Sequence, residues 1–156
     1  MDAKIINPFL IATQNVFKTM LSTQITIGKP SIKTNNLTVG DVTGVMGFDG
    51  DKKGTFTLSL STESAVYIYK SMIGEDVSTV TSDVVDAIGE LTSIISGQIR
   101  AELEKIDIHL NATLRTVTVG QNVAISSITV FPVIALPVSF DDAGTTRQLF
   151  MDFSFE

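Results

Sequence analysis

The sequence predicts an α+β fold with two layers, in which a mainly antiparallel sheet packs against one long helix and shorter helices. Strand-like runs cluster after helical segments, tight turns join neighbouring runs, and no Pro- or Ser-rich linker interrupts the 156 residues. Strands joined by tight turns pair antiparallel, and helices grouped apart from them cover a face of the sheet. We therefore expect one domain over residues 1–156, a length that buries a sizeable core.

The composition excludes several classes of function. The chain carries 17 acidic and 11 basic residues, a net charge of -6, and its basic residues are scattered. Nucleic-acid binding is disfavoured because phosphate contacts need clustered Lys and Arg. The absence of Cys removes disulfides, thiolate metal sites and Cys nucleophiles. With one His, a two-His metal site is excluded as well.

No segment resembles a targeting or membrane sequence. Residues 1–21 lack the basic start and unbroken apolar stretch of a signal peptide. The longest apolar stretch, residues 128–138, contains Pro132 and Pro137 and is shorter than the roughly 18–20 residues of a membrane helix. We expect a cytoplasmic protein without membrane insertion.

The first elements are a helix and an interrupted strand. Apolar residues at helical spacing predict a helix over residues 8–21, with Pro8 suited to its first position. Residues 25–33 read as a strand that Gly28 and Pro30 interrupt. The chain is therefore predicted to begin with a helix followed by a broken strand.

A hairpin and a short helix follow. Two β-rich runs, residues 42–48 and 55–60, flank a Gly- and Asp-rich turn at 49–54. The second run alternates Thr or Ser with Phe or Leu, which points its apolar side chains to one face. A capping sequence at Ser61 opens a helix that runs to about residue 73 and stops at Gly74.

The longest helix is predicted over residues 78–105, and only strands follow it. The Phe residues of the last strand are expected to pack in the core while leaving an edge open to a partner strand. The predicted strands after the long helix are residues 116–119, 123–132, 133–140 and 148–155.

The long helix has two different faces when its residues are placed at about 100° intervals. Apolar residues gather on the core face: Val80, Val84, Ile88, Leu91, Ile95 and Ile99. Polar residues and a glycine form a line on the other face: Ser82, Asp86, Glu90, Ser93, Gly97 and Glu104, with Asp83 beside it. A carboxylate-bearing helix face is most often simply solvated, so its spacing alone does not define a site.

Gly97 gives this polar face a further significance. Glycine inside a helix costs about 1 kcal/mol relative to alanine, so it implies a compensating benefit such as close approach by another backbone. Glu90, followed one helical turn later by Ser93, is therefore a candidate functional pair.

The sequence around this pair resembles a known family. Residues 86–97, Asp-Ala-Ile-Gly-Glu-Leu-Thr-Ser-Ile-Ile-Ser-Gly, are closely similar to the signature helix of the CheX branch of the CheC/CheX/FliY family of chemotaxis phosphatases. The resemblance covers nearly the whole chain, and one visible signature helix favours the CheX branch over CheC. Further segments that resemble the family are residues 6–9, 16–20, 28–30, 42–48, 53–54, 62–65 and 116–120.

The resemblance implies that the protein removes the aspartyl phosphate from a phosphorylated CheY-type response regulator. In that family a Glu engages a Lys of the regulator, and an Asn three residues later aligns the attacking water. Glu90 matches the Glu, and Asp86 and Gly97 are expected to contact the partner. Mg²⁺ and Lys of the partner's receiver domain supply charge neutralisation, so no cofactor of the protein's own is expected. A homodimer that joins sheets across subunits is also implied.

Two positions depart from the family pattern. Ser93 stands where the family has Asn, and serine is shorter and lacks the amide's separate donor and acceptor. Arg115 stands where the family usually has Pro, which suggests an altered loop beneath the helix. Thr92 should point about 100° away from Ser93 and is a poor substitute. The sequence thus leaves two hypotheses: a phosphatase in which Ser93 replaces the amide, or a non-catalytic or weakly active regulator-binding module.

Overall fold

A computed structural model describes residues 3–125 and 133–155. The elements are α1 (Ala3–Met20), β1 (Ile25–Ile27), β2 (Ser31–Lys33), β3 (Val42–Gly50), β4 (Gly54–Leu60), α2 (Thr62–Ile73), α3 (Ser82–Glu104), β5 (Leu110–Val119), β6 (Val133–Asp142) and β7 (Thr145–Phe155). The described strands form one seven-stranded sheet in the order β1-β6-β7-β4-β3-β5, with β2 also paired to β6, and every pairing is antiparallel. This confirms the predicted α+β class.

The local signals for α2 and for the β3–β4 hairpin are confirmed. The Ser61 side chain caps α2 by accepting a hydrogen bond from the backbone N–H of Ser64, and Gly74 ends the helix with a left-handed backbone at φ 87°. A left-handed residue at this position suits glycine because a side chain would be strained there. The two expected runs pair directly across their turn, with Val42 opposite Leu60.

Helix α1 begins earlier than predicted. Pro8 lies inside the helix rather than at its first position. A proline there removes one backbone hydrogen bond of the helix. The core packing of the next residue, Phe9, offsets that loss. Phe9 stacks on Phe153 with ring centroids 4.3 Å apart and meets Phe56 edge-on at 5.9 Å. This aromatic contact places α1 against the centre of the sheet.

The boundaries of α3 and of the later strands differ from the predicted ones. α3 starts at Ser82 instead of residue 78, because the Thr81 hydroxyl accepts a hydrogen bond from Val84 N–H and caps the helix there. β5 begins at Leu110, six residues before the predicted start. Of the predicted strand 123–132, residues 126–132 lie outside the described residues, and Ala124 forms only an isolated bridge with Leu37.

The last strand is not an edge strand. β7 lies between β6 and β4 and pairs with both along its length, so the expected open edge at the C-terminal strand is wrong. The tight turn between β6 and β7 makes β6 one neighbour of β7. The strand β4, which is distant in the chain, pairs with the other side of β7. The edges of the described sheet are β5 on one side and the short β1 and β2 on the other.

Strand β4 is buried on both faces. Its apolar residues share one face, as predicted, and that face packs against the helices. Its Thr and Ser residues on the opposite face are buried as well. On that second face the hydroxyls of Thr43 and Ser59 lie 3.0 Å apart and share a hydrogen bond. The alternation in the sequence therefore separates an apolar buried face from a buried face that carries hydroxyl groups. It does not separate a buried face from a solvent-exposed one.

A buried ion pair lies on this second face. Lys33 Nζ of β2 donates to Asp152 Oδ2 of β7 at 2.7 Å and also to the carbonyl of Leu37. The side chain of Asp152 is only 5% exposed, and its Oδ1 has no hydrogen-bond partner among the described residues. Burial raises the pKa of Asp152 above its usual value even though Lys33 acts in the opposite direction.

Replacing Lys33 with Met should destabilise the protein by about 3 kcal/mol at neutral pH, because it leaves a buried carboxylate without its counter-charge. Since the raised pKa of Asp152 favours its neutral form, the loss should shrink as the pH falls toward the ordinary carboxyl range. Denaturant unfolding at neutral and mildly acidic pH measures both effects. Lys70→Met is the matched control, since the Lys70–Asp76 pair is exposed and should contribute less than about 1 kcal/mol. Equal effects of the two substitutions would contradict the prediction.

Of the helices in the described part of the chain, none combines the length and apolarity needed to cross a membrane.

Candidate functional site

Helix α3 is held by one fully buried face, as predicted. Its core residues contact α1, α2 and the strands β3, β4 and β5. Val80 precedes the helix and is partly buried. The other predicted core residues have no exposed surface: Val84, Ile88, Leu91, Ile95 and Ile99. A helix anchored in this way presents its outer face in a defined orientation.

The outer face carries all four residues singled out from the sequence. Asp86, Glu90, Ser93 and Gly97, here called the α3 stripe, are all exposed. Their spacing of four, three and four residues places them on one side of the helix, one turn after another. The structure therefore brings the predicted site residues together on one surface.

Thr92 is separated from the stripe. Its side chain is completely buried, and its hydroxyl donates to the carbonyl of Ile88 at 2.7 Å. Thr92 therefore faces the sheet, which confirms that it points away from Ser93 and is a poor substitute for it.

No packing within the described structure requires a glycine at position 97. A Cβ at this position would have no described atom within 4 Å. The conformational cost of glycine in the helix is therefore not recovered by a contact inside the described fold.

Arg115 does not lie in a loop beneath the helix, so that expectation is wrong. It lies in β5 at a β-bulge, where Val45 pairs with Thr116 and Met46 pairs with Leu114. The bulge accommodates the extra residue, and the Arg115 side chain lies over Gly47 on the face away from α3.

The described residues contain no cluster of three or more His, Asp or Glu side chains that could hold a metal ion. The only His in the sequence, His109, is exposed and hydrogen-bonds Asp107 through Nε2 at 3.0 Å. That hydrogen bond raises the pKa of His109. The reactive groups on the α3 stripe are consequently the carboxylates of Asp86 and Glu90 and the hydroxyl of Ser93, one helical turn from Glu90.

Sequence patterns alone did not point to two glycines at which α3 packs closely against the sheet. Gly44 of β3 lies directly under Thr92, and Gly89 of α3 lies against Val117 and Leu114 of β5. A glycine inside a strand pattern is itself a sequence signal of close backbone approach, so Gly44 could have been singled out.

Comparison with known proteins identifies the family of this chain. The family model for the chemotaxis phosphatase CheX matches residues 42–139, well over half of the chain and including all of α3. The chain belongs to the CheX family. This confirms the resemblance of its signature helix.

Individual relatives cover nearly the whole chain. The CheY-P phosphatase CheX of Thermotoga maritima is 28% identical over 140 residues, which span 89% of each chain. The crystal structure of chemotaxis protein CheX from Desulfovibrio desulfuricans superimposes with a TM-score of 0.85 at 35% identity, covering 98% of this chain and 99% of that one. CheX from Borrelia burgdorferi, solved in complex with CheY, BeF3 and Mg²⁺, shares the fold with a TM-score of 0.81 at 22% identity, covering 97% of each chain.

Proposed function

We propose that this CheX family member dephosphorylates a phosphorylated CheY-type response regulator by docking the α3 stripe onto its receiver domain. The observation that carries the proposal is the exposure of Glu90 and Ser93, one turn apart, on a helix whose opposite face is fully buried. A relative from Thermotoga maritima is a CheY-P phosphatase, and a protein of the same fold from Borrelia burgdorferi binds CheY.

The proposed chemistry needs no nucleophile on this protein. Phosphoryl transfer depends mainly on positioning and on neutralising the transferring group, and the receiver brings its own Mg²⁺ and Lys. Glu90 engages that Lys, and the Ser93 hydroxyl hydrogen-bonds the attacking water in line with the aspartyl phosphate. The protein acts in the cytoplasm together with its regulator and contributes geometry rather than a cofactor.

A second candidate function rests on Ser93. The serine hydroxyl reaches less far than an amide and cannot donate and accept through separate atoms. If it fails to place the water, the same stripe binds the regulator with little or no hydrolysis. The protein would then sequester the phosphorylated regulator.

The decay of a phosphorylated CheY-type receiver, measured with this protein first at catalytic and then at stoichiometric amounts, tests the proposal. We expect faster decay at catalytic amounts. Phosphorylation-dependent binding without faster decay would establish the second candidate instead. Neither decay nor binding would overturn both functions.

Replacing Gly97 with Ala should stabilise the protein by up to about 1 kcal/mol, because the added methyl group meets open space and the helix loses less conformational entropy on folding. The same methyl group should weaken receiver binding several-fold if the partner's backbone approaches there. Denaturant unfolding and a binding titration measure the two effects. The control is Ser71→Ala, which introduces an alanine on the exposed side of another helix, α2. Gly144→Ala is unsuitable because its backbone φ of 92° would strain an alanine. Stabilisation with an unchanged affinity for the receiver would show that Gly97 is not part of the docking surface.

We also propose a homodimer in which two sheets join through β5. This ten-residue strand ends the described sheet, whereas β1 and β2 at the other edge have three residues each. A long open edge offers unpaired backbone groups to a second strand. Light scattering after size exclusion should give the mass of two chains at micromolar concentration, and a monomer would contradict the proposal.

A further inference from the structure

Strand β3 and helix α3 touch at one point where the strand has no side chain. Gly44 faces the helix, and a Cβ at this position would fall on the hydroxyl of Thr92, 2.9 Å from its Cβ and 3.1 Å from its Cγ2. A Cβ is almost never found that close to another carbon in a folded protein. The depth at which α3 sits on the sheet is therefore compatible with glycine alone at position 44.

Thr92 has little freedom to move away from such a side chain. It is completely buried, and its hydroxyl donates to the Ile88 carbonyl at 2.7 Å. Its own carbonyl accepts a hydrogen bond from the Ser96 hydroxyl at 2.8 Å. Rotation of the Thr92 side chain would break a buried hydrogen bond and disturb close packing. A larger residue at position 44 would instead displace this turn of the helix.

The same stretch of α3 is also fitted closely to the edge strand. A Cβ on Gly89 would lie 3.0 Å from Val117 Cγ2 and 3.3 Å from Leu114 Cδ2 of β5. The helix is thus seated on β3 through a strand glycine and on β5 through a helix glycine. At these two contacts an added Cβ would leave no room for the present depth and rotation of the helix.

We propose that the Gly44–Thr92 contact is a positioning contact for the phosphatase reaction. Thr92 directly precedes Ser93 and follows Glu90 by two residues, so a displacement of Thr92 moves both functional side chains. The inference rests on the proposed function and names a residue pair outside the docking surface. Displacement by about 1 Å is enough to reduce turnover about a hundredfold. Partner affinity depends on contacts along the whole stripe and should change less.

The test is Gly44→Ala, assayed on a phosphorylated CheY-type receiver. We expect kcat to fall roughly 10- to 100-fold while KM changes less than about threefold. Adding Thr92→Ala removes the hydroxyl and the methyl group that meet the new Cβ but keeps the Cβ of residue 92, 2.9 Å away, so it should recover part of the lost kcat. A structural role alone would not separate kcat from KM in this way.

Two control variants isolate the effect. Gly47→Ala adds the same methyl group to the same strand but on the opposite face, where it meets the flexible end of the exposed Arg115 side chain. It should leave the kinetics unchanged. Val138→Ala in β6 is a buried truncation far along the sheet from β3, and it controls for general destabilisation.

Amide chemical shifts of α3 provide a readout that does not depend on turnover. We expect the amides of Glu90 and Ser93 to shift in Gly44→Ala, to return toward wild type in the double variant, and to stay unchanged in Gly47→Ala. Absence of these shifts, a wild-type kcat in Gly44→Ala, or an equal kcat loss in Val138→Ala would overturn the inference. A wild-type protein without phosphatase activity would overturn the proposed function and the role of the contact in catalysis, and the expected shifts would then show only that the contact positions the α3 stripe.

Discussion

Replacing Ser93 with Asn is expected to raise the rate of regulator dephosphorylation by about 10- to 100-fold. The amide extends further from the helix and offers separate donor and acceptor atoms, so it holds the attacking water in line more reliably than a hydroxyl does. Position 93 is exposed, and the larger side chain therefore needs no rearrangement of the fold. Decay of the phosphorylated receiver at catalytic amounts of the variant measures the gain.

Ser71→Asn supplies the matched control for this gain. Ser71 is an exposed serine on α2, and its replacement should leave the rate at the wild-type value. An unchanged rate for Ser93→Asn with intact binding would show that the scaffold does not support hydrolysis. That outcome would favour the regulator-binding module over the enzyme.

Replacing Glu90 with Ala should lower kcat/KM by about 10- to 100-fold. Loss of a hydrogen bond between charged groups costs about 1.5–3 kcal/mol, and each 1.4 kcal/mol corresponds to a factor of ten. The carboxylate is exposed on a helix whose other face is buried, so its removal should leave the fold intact. Steady-state kinetics and a binding titration with the phosphorylated receiver measure the effect.

The control for Glu90 must remove the same charge elsewhere. Glu63→Ala changes the net charge equally in the first turn of α2 and should cost only a small amount of helix stability. Both candidate functions require Glu90 for docking, so Glu90→Ala tests whether the α3 stripe is the docking surface. Ser93→Asn tests whether the docked complex supports hydrolysis. Wild-type affinity and kcat/KM in Glu90→Ala would exclude the α3 stripe from the function.

Much of the fold follows from local sequence signals. Ser61 and Gly74 bound α2 as predicted because a cap and a left-handed turn depend on a few neighbouring residues. The core face of α3 follows from helical periodicity, and the α3 stripe is its complement. The exposed face that carries the candidate site was therefore predictable, since all four residues lie on one helix.

The early start of β5 is also encoded in the sequence, in an alternation that continues upstream of the predicted start. Leu110, Ala112 and Leu114 alternate with polar residues and all face the helix side of the sheet. The bulge at Arg115 then shifts the alternation by one residue and hides the continuity of the strand. Because the bulge interrupts the alternation, the sequence pattern predicts a strand that starts only after Arg115.

The sequence by itself determined the class of fold, the paired turns and the exposed line of Asp86, Glu90, Ser93 and Gly97, because these depend on contacts between near neighbours. Tertiary structure alone decided that β7 is central and that β5 is an edge of the described sheet, since strand order depends on pairing between residues far apart in the chain. It also decided how deeply α3 sits on the sheet. The closest approach at that depth is between Gly44 and Thr92, which are 48 residues apart in the chain and meet only when the helix packs on β3.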